Sequence, residues 1–171
     1  MDKKFAEALA RTVQSFSLPR YNQLPNDGLY LEQTVKYINK CLAPLGYIEI
    51  TGSMVRNYVK QGLVTNPVNK LYYADHIGYL IAITILKQVA PLESISKLFF
   101  RQRDTYDNHV AYDYFCNELE NMLFYCFGLK DTVDEIGVTH SIEKQMLRAA
   151  LISVSNMIYL HACFSALYDN N

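Results

Sequence analysis

Five polar side chains between residues 53 and 61 fall on one arc when the stretch is placed on a helix at about 100° per residue. The five are Ser53, Arg56, Asn57, Lys60 and Gln61. Each can donate a hydrogen bond, two carry a positive charge, and none is an acid that would repel phosphate. Arginine can bind a guanine edge with two hydrogen bonds, asparagine and glutamine can bind adenine, and serine and lysine suit backbone phosphates. The spacing therefore predicts a helix face that reads the major groove of DNA.

The opposite side of the same stretch is apolar. It carries Met54, Val55, Tyr58 and Val59. Thr51 or Ser53 can cap the start of this helix, and Gly62 suits its end. Because a predicted helix over 29–42 and a sharp turn precede it, the pattern indicates a helix-turn-helix with residues 53–61 as recognition helix. The alternative is an ordinary surface helix with a solvated polar face.

The formal net charge of −1 hides an uneven distribution along the chain. Residues 29–103 hold nine basic and four acidic side chains, whereas residues 104–171 hold three basic and ten acidic ones. A basic middle and an acidic end indicate two different roles. The basic region contains the predicted recognition helix, which favours phosphate as its partner.

Other kinds of chemistry find little support in the residue spacing. The cysteines are scattered, with no Cys-x-x-Cys pair, and reduced thiols are expected; they are Cys41, Cys116, Cys126 and Cys163. No cysteine and histidine spacing typical of zinc occurs, and the seven glycines form neither a nucleophile motif nor a phosphate-binding loop. We therefore expect no metal, no cofactor and no enzyme activity. His76 and His140 each stand beside a predicted helix start and are expected to be structural.

The rest of the chain is predicted to be mainly helical. Apolar residues recur at helical spacing in the segments 3–16, 29–42, 75–89, 109–127 and 141–168, and Pro91 opens a further helix. The stretch before Leu29 predicts an extended arm, and "VTNPVNKLYY" predicts a small hairpin. The helix over 75–89 is apolar nearly all round, so the C-terminal helices are expected to pack on it.

The C-terminal segments offer two further interpretations. Residues 149–168 lack a formal charge and are about as long as a helix that crosses a bilayer. Ser153, Asn156 and His161 interrupt this run, which favours a central helix or the contact of a homodimer over a membrane span. A cytoplasmic protein without membrane association is expected. The aromatic residues over 109–127 are typical of a core, and a pocket for a small apolar effector is the alternative.

The segment "MVRNYVKQGLVTNP" resembles the MerR family pattern, in which Leu-Arg-Tyr-Tyr-Glu leads into Lys-Gly-Leu-Ile and then proline. Arg56, Tyr58 and Pro67 match it, and Val55 stands in the place of the leucine. The resemblance continues through "YYADHIGYLIAITILKQVAPLESISKL" and covers about residues 29–100. It implies a winged helix-turn-helix that binds DNA. By resemblance, the phosphate contacts are assigned to Arg56, Tyr58 and Lys70.

Several positions depart from that pattern. Asn57 replaces the first tyrosine of the family, Val59 replaces its acid, and Leu71 stands where the wing usually has an arginine. The phrases "LPRYNQLPNDGLYLEQ" and "YVKQGLV" are also similar to a bacterial family of uncharacterised proteins. That family joins a MerR-like module to a helical C-terminal half.

The sequence thus predicts a mainly α protein in three parts: an N-terminal helix and arm (1–28), a MerR-like winged helix-turn-helix with a small β wing (29–103), and a helical dimerisation or effector half packed on it (104–171). The predicted function is sequence-specific binding of double-stranded DNA by a homodimer, and hence transcription regulation. The predicted DNA-binding residues are Ser53, Arg56, Asn57, Tyr58, Lys60, Gln61 and Lys70. The alternative is a non-catalytic protein-interaction module on a helix-turn-helix scaffold that has lost DNA binding.

Overall fold

The computed structural model describes residues 3–137 and 140–168. Seven α-helices account for most of these residues, so the prediction of a mainly helical protein is confirmed. They are α1 (Lys3–Val13), α2 (Leu31–Leu42), α3 (Gly52–Lys60), α4 (Ala74–Leu86), α5 (Leu92–Thr105), α6 (Asn108–Cys126) and α7 (Ile142–Tyr168). Residues 1–2, 138–139 and 169–171, which belong to the predicted first and third parts, lie outside the described residues.

The central helix of the fold is α4. Its sequence is apolar nearly all round, and all of its residues except Asp75 and Tyr79 are buried. The helices α2, α5, α6 and α7 pack around it. A helix without a polar face must be enclosed, because apolar surface left in water costs about 25 cal/mol per Å². The N-terminal and C-terminal elements therefore share one continuous core with α4.

Residues 43–51 join α2 to α3 and fix where α3 lies. The Asn39 side chain on α2 pairs with both backbone polar groups of Ile50: Nδ2 donates to the carbonyl at 2.9 Å, and the Ile50 N–H donates to Oδ1 at 2.8 Å. The connection is longer than the predicted sharp turn, since about three to four residues are typical of a helix-turn-helix. The extra length lets Leu45 and Ile48 enter the core.

Both ends of α3 are capped. The Thr51 hydroxyl accepts a hydrogen bond from the Met54 N–H at 3.3 Å at the start of the helix. At the other end, Gly62 has a φ of +75°, and the Leu63 N–H bonds back to the Tyr58 carbonyl at 3.0 Å. This backbone pattern is a Schellman motif, which favours glycine because a left-handed φ carries little penalty without a Cβ. The predicted helix end at Gly62 is confirmed.

The segment predicted as a small hairpin forms a tight turn. Val68 and Leu71 exchange backbone hydrogen bonds of 3.0 and 2.9 Å around Asn69 and Lys70, whose φ angles are +51° and +67°. Two successive positive φ angles define a type I′ turn, which suits a hairpin. Within residues 3–137 and 140–168 no strand forms, so the predicted β wing is reduced to this turn.

Two sets of contacts hold this turn against the rest of the fold. Leu29 and Tyr72 exchange backbone hydrogen bonds of 2.9 and 2.8 Å. His76 Nδ1 accepts from the Tyr73 N–H at 3.0 Å, so Nε2 carries the proton and donates to the Asn66 carbonyl at 3.1 Å. His76 thus does structural work at a helix start, as the sequence predicts.

The extended arm before α2 lies along α6. The Arg20 guanidinium donates to both carboxylate oxygens of Glu120, at 2.8 and 2.7 Å, and to Asn117 Oδ1 at 2.8 Å. The Leu18 N–H donates to the same carboxylate at 2.9 Å. The bond from Glu120 raises the pKa of Arg20, which stays charged. The arm is therefore docked at a defined position along its length.

The long helices α6 and α7 pack side by side and enclose an ionisable group. Glu118 on α6 has no exposed surface, and Arg148 Nε on α7 lies 3.3 Å from its Oε2. Burial raises the pKa of Glu118, and the positive charge of Arg148 opposes that rise. Farther along α7, His161 stacks on Tyr47 with ring centroids 3.8 Å apart. Since Tyr47 belongs to the connection before α3, α7 also touches the segment that joins α2 to α3.

Candidate nucleic-acid interface

The helix α3 packs chiefly on α2 and leaves its other side in solvent. Val55 and Tyr58 form its buried side, with 0% and 3% of their surface exposed. The five side chains of the predicted reading face are all exposed; they are Ser53, Arg56, Asn57, Lys60 and Gln61. The structure therefore brings these five together on one side of α3, as their spacing predicts.

The two cations of this face are not neutralised by acids. Among the described residues, no carboxylate forms an ion pair with Arg56 or Lys60. The first turn of α3 has no acidic residue. Gln61 Nε2 donates to Asn57 Oδ1 at 3.0 Å, which aligns the two side-chain amides. The side-chain N–H groups of Asn57 can then donate to a ligand. The face therefore combines positive charge with hydrogen-bond donors.

The two remaining residues that the MerR resemblance assigns to phosphate differ in position. Tyr58 is 3% exposed, and burial raises its pKa. Its ring supports α3 from beneath, so we leave Tyr58 out of the candidate interface. Lys70 is exposed at the tip of the type I′ turn. It therefore stays in the candidate interface as an exposed cation.

A further cation near α3 was not singled out by the sequence pattern. Lys87, at the end of α4, places Nζ 3.7 Å from Met54 Sδ on α3, and burial lowers its pKa. Among the residues that the structure describes, no acid pairs with it either. The exposed Lys36 and Lys40 lie on α2. Helical spacing could not reveal Lys87, because its position depends on the packing of α3 against α4.

Arg103 on α5 holds the C-terminal end of α3. Its Nη2 donates to the Leu63 carbonyl at 2.9 Å, directly after the helix. Its Nε donates to the Tyr79 hydroxyl oxygen at 3.1 Å, and its guanidinium carbon lies 4.8 Å from the Tyr79 ring centroid. One side chain thus connects α3, α4 and α5. Sequence reasoning missed this residue, because the contact joins positions far apart in the chain.

The fold and this site define a class of protein: a mainly helical domain with a short exposed helix that offers positive charge and hydrogen-bond donors. Such a face can bind phosphates, base edges or an acidic surface. Across residues 3–137 and 140–168, no group of three or more His, Cys, Asp or Glu side chains converges.

Residues 19–115 match the family described as a domain of unknown function, DUF1836. The match spans more than half of the chain, so this protein belongs to that family. It agrees with the resemblance to a family of uncharacterised proteins, and it includes all of the candidate interface. No curated protein and no solved structure matches the chain.

Proposed function

We propose that this protein binds double-stranded DNA at a specific sequence and regulates transcription, with α2 and α3 as a MerR-like helix-turn-helix. The observation that carries the proposal is the exposed side of α3, where five donor side chains include two cations that form no ion pair with an acid in the described part of the chain. Arg56 suits a guanine edge, and Asn57 or Gln61 suits adenine. Lys60 and Ser53 suit the flanking phosphates.

The type I′ turn supports this proposal as a short wing. Its tip carries Lys70, and the hydrogen bonds between Val68 and Leu71 fix the conformation of the turn. The pairing of Leu29 with Tyr72 holds the base of the turn beside α2. A cation on a rigid support can contact phosphate beside the groove that α3 enters.

The helix α7 offers a contact for a second copy of the chain. Exposed apolar side chains recur along it at intervals of three or four residues: Met157, Leu160, Phe164 and Leu167. This spacing is that of a coiled-coil seam. A two-fold pair of chains would present two α3 helices to two half-sites of DNA. Helix-turn-helix dimers recognise a longer DNA sequence in this way.

The same helix meets the length and composition of a membrane span. Among the described residues α7 is the one helix that does so, and 22% of its most apolar 18-residue window is buried. One side of α7 packs on the core through Leu151, Val154 and Ile158. The exposed apolar side chains lie on the opposite side of α7. We favour a second copy over lipid because that side also carries the exposed polar residues Ser153 and Asn156. A DNA-binding homodimer also implies a cytoplasmic location.

Selection of bound fragments from random duplex DNA tests the proposed function. The selected duplex is then titrated at several salt concentrations beside a scrambled duplex of equal length. We expect an enriched sequence and a log–log salt slope of about −0.9 for each phosphate contact. If no sequence is enriched and binding stays weak and insensitive to salt, the proposed function is wrong.

One observation favours a second candidate function, a protein-interaction module. The connection over residues 43–51 is longer than that of a typical helix-turn-helix, so α3 need not enter a groove at the usual angle. The exposed cations of α3 would then suit an acidic protein surface. A protein partner held by α3 would bind in the absence of DNA, and mutation of Arg56 would weaken that binding while leaving DNA titrations featureless.

A further inference from the structure

A cavity of about 140 Å³ lies between α4, α5, α6 and the start of α7. Aromatic rings form much of its wall: Tyr79, Phe99, Tyr106, Tyr112, Tyr114 and Phe115. Ala82 on α4 and Ala111 on α6 contribute only methyl groups and leave the space open. Val110, another lining residue, is exposed, so the cavity is not sealed from solvent. An apolar cavity of about 150 Å³ is large enough for a molecule such as benzene.

The charged side chains at the cavity are already engaged. Asp75 Oδ1 accepts from the Tyr21 hydroxyl at 2.7 Å. Glu143 pairs with Arg101 on α5, whose Nε donates to it at 2.6 Å. Lys144 Nζ lies over the Tyr114 ring, 4.9 Å from its centroid. No charge therefore stands ready for an ionic ligand, and an uncharged molecule fits best.

One acceptor in the polar part of the cavity wall receives only a long hydrogen bond when the Tyr79 proton is donated to the other. The Tyr79 hydroxyl lies 2.8 Å from both Gln102 Oε1 and Asn108 Oδ1, yet it has only one proton to donate. Gln102 Nε2 donates to the Tyr106 carbonyl at 2.8 Å, which fixes Oε1 as the atom that faces Tyr79. Its second contact, with Asn108 Oδ1, is long at 3.4 Å. A ligand with a hydroxyl or N–H group can donate to whichever of the two amide oxygens does not receive the Tyr79 proton.

From these observations we infer that the cavity is a binding site for a small, uncharged, single-ring aromatic molecule with one hydrogen-bond donor, of the phenol type. The ring lies among the aromatic side chains, where offset and edge-on contacts are favourable. The donor group bonds to Gln102 or Asn108.

The same contacts connect the cavity to α3. When a ligand donates to one amide oxygen, the Tyr79 proton is committed to the other, and a lone pair of the Tyr79 hydroxyl is held toward Arg103 Nε. Arg103 in turn donates to the Leu63 carbonyl at the end of α3. A ligand therefore strengthens the hydrogen bonds that hold the end of α3. It does so because it binds more tightly when Arg103 contacts both Tyr79 and Leu63. This regulatory step rests on the proposed function, whereas the binding site does not.

Titration calorimetry of the full chain with phenol and with toluene tests the site. The two molecules have nearly the same shape, and a purely apolar cavity would prefer toluene, because it would leave the phenol hydroxyl without a partner. We expect phenol to bind at least as tightly as toluene. If toluene binds about tenfold or more tightly than phenol, the proposed role of the hydrogen-bond donor is wrong. If neither molecule gives a heat of binding, the cavity is not a binding site.

Cavity-filling variants supply the controls. Ala82→Leu and Ala111→Leu place extra carbon in the cavity from two helices, and each should weaken phenol binding by about tenfold or more. Ala8→Leu makes the same change at an exposed position of α1 and should leave the affinity within about twofold. Two cavity variants are used so that a folding defect in one, visible by circular dichroism, does not decide the result. Unchanged phenol affinity in a folded cavity variant contradicts the assignment.

Amide hydrogen exchange tests the connection without DNA. Phenol should slow exchange at Gly62 and Leu63, whose N–H groups bond within the end of α3, by about threefold or more. Arg103→Lys keeps the charge but cannot bridge the same two oxygens, so it should retain phenol binding and lose the slowing. Unchanged exchange in the original chain would overturn the connection. If phenol binds and slows exchange but no duplex is bound, the DNA-binding proposal fails and the ligand site stands.

Discussion

Asn39 on α2 holds Ile50 by both of its backbone polar groups, so one amide side chain sets the position from which α3 begins. Ile50 is 1% exposed, and no water can easily replace these bonds. We predict that Asn39→Ala lowers the free energy of unfolding by about 2 kcal/mol, because a buried N–H and a buried carbonyl lose their partner. Urea denaturation measures this change. Asn57→Ala, at an exposed position of α3, is the matched control and should cost under about 0.5 kcal/mol.

The left-handed backbone at Gly62 predicts a purely conformational cost. A Cβ at this position would meet no atom within 4 Å, so crowding adds nothing. Gly62→Ala should lower the free energy of unfolding by about 1 kcal/mol through its φ of +75°. Gly52→Ala, which has no positive φ, should be neutral or stabilising. Equal losses in the two variants, measured by thermal unfolding, would contradict this account.

The buried Glu118 carboxyl predicts a pH dependence of stability. Burial raises its pKa above the ordinary value of 4.5, so the folded protein keeps the proton at pH values where the unfolded chain has lost it. The contribution of Glu118 to the free energy of unfolding is fully present below pH 4.5, and it declines as pH rises through the folded-state pKa. Glu118→Gln should therefore gain stability relative to the original chain as pH rises above 4.5. Urea midpoints at several pH values, with exposed Glu135→Gln as control, check the difference in slope.

The two cations of α3 predict different effects on DNA. Arg56→Ala should cost about 1–3 kcal/mol of binding to the selected duplex and relax the choice of base at one position. Lys60→Ala should weaken binding to all sequences and reduce the salt slope by about one contact. Lys97→Ala is the control, because Lys97 lies on α5 and already pairs with Glu93 at 2.7 Å. Equal losses in the three variants would show a general charge effect and no reading face.

The apolar seam of α7 predicts the oligomeric state. Leu160→Glu should convert a dimer to a monomer in sedimentation experiments, since it places a charge within the contact. Gln145→Glu adds the same charge to an exposed position on α7 and should leave the dimer intact. A chain that is monomeric before mutation contradicts the proposed contact, and sedimentation with lipid vesicles would then point to the membrane.

The parts of the fold that were predictable are those that periodicity determines. The buried and exposed sides of α3 follow from the helical spacing of Val55 and Tyr58, and the enclosure of α4 follows from its lack of a polar face. The end at Gly62 follows from backbone preference. These features depend on neighbours in the chain, so one sequence carries them.

The features that were missed depend on packing between distant residues. The sequence pattern gives no end for the helix that Pro91 opens; in the structure α5 continues through Thr105, where Arg101 pairs with Glu143 and Gln102 bonds to Tyr79. The burial of Tyr58 was part of the helical pattern, but the family resemblance outweighed it in the prediction of phosphate contacts. The cavity also depends on four helices meeting, which no local pattern describes.

The pairing of Arg20 with Glu120 has a consequence for how the family segment should be produced in the laboratory. The family match stops at residue 115, whereas both side-chain acceptors of the Arg20 guanidinium, on Asn117 and Glu120, lie on the stretch of α6 beyond it. A recombinant fragment trimmed to the family boundaries would keep the cation and lose its acceptors, together with the apolar cover that α7 gives α4. We therefore expect a fragment limited to residues 19–115 to be less stable than the whole chain.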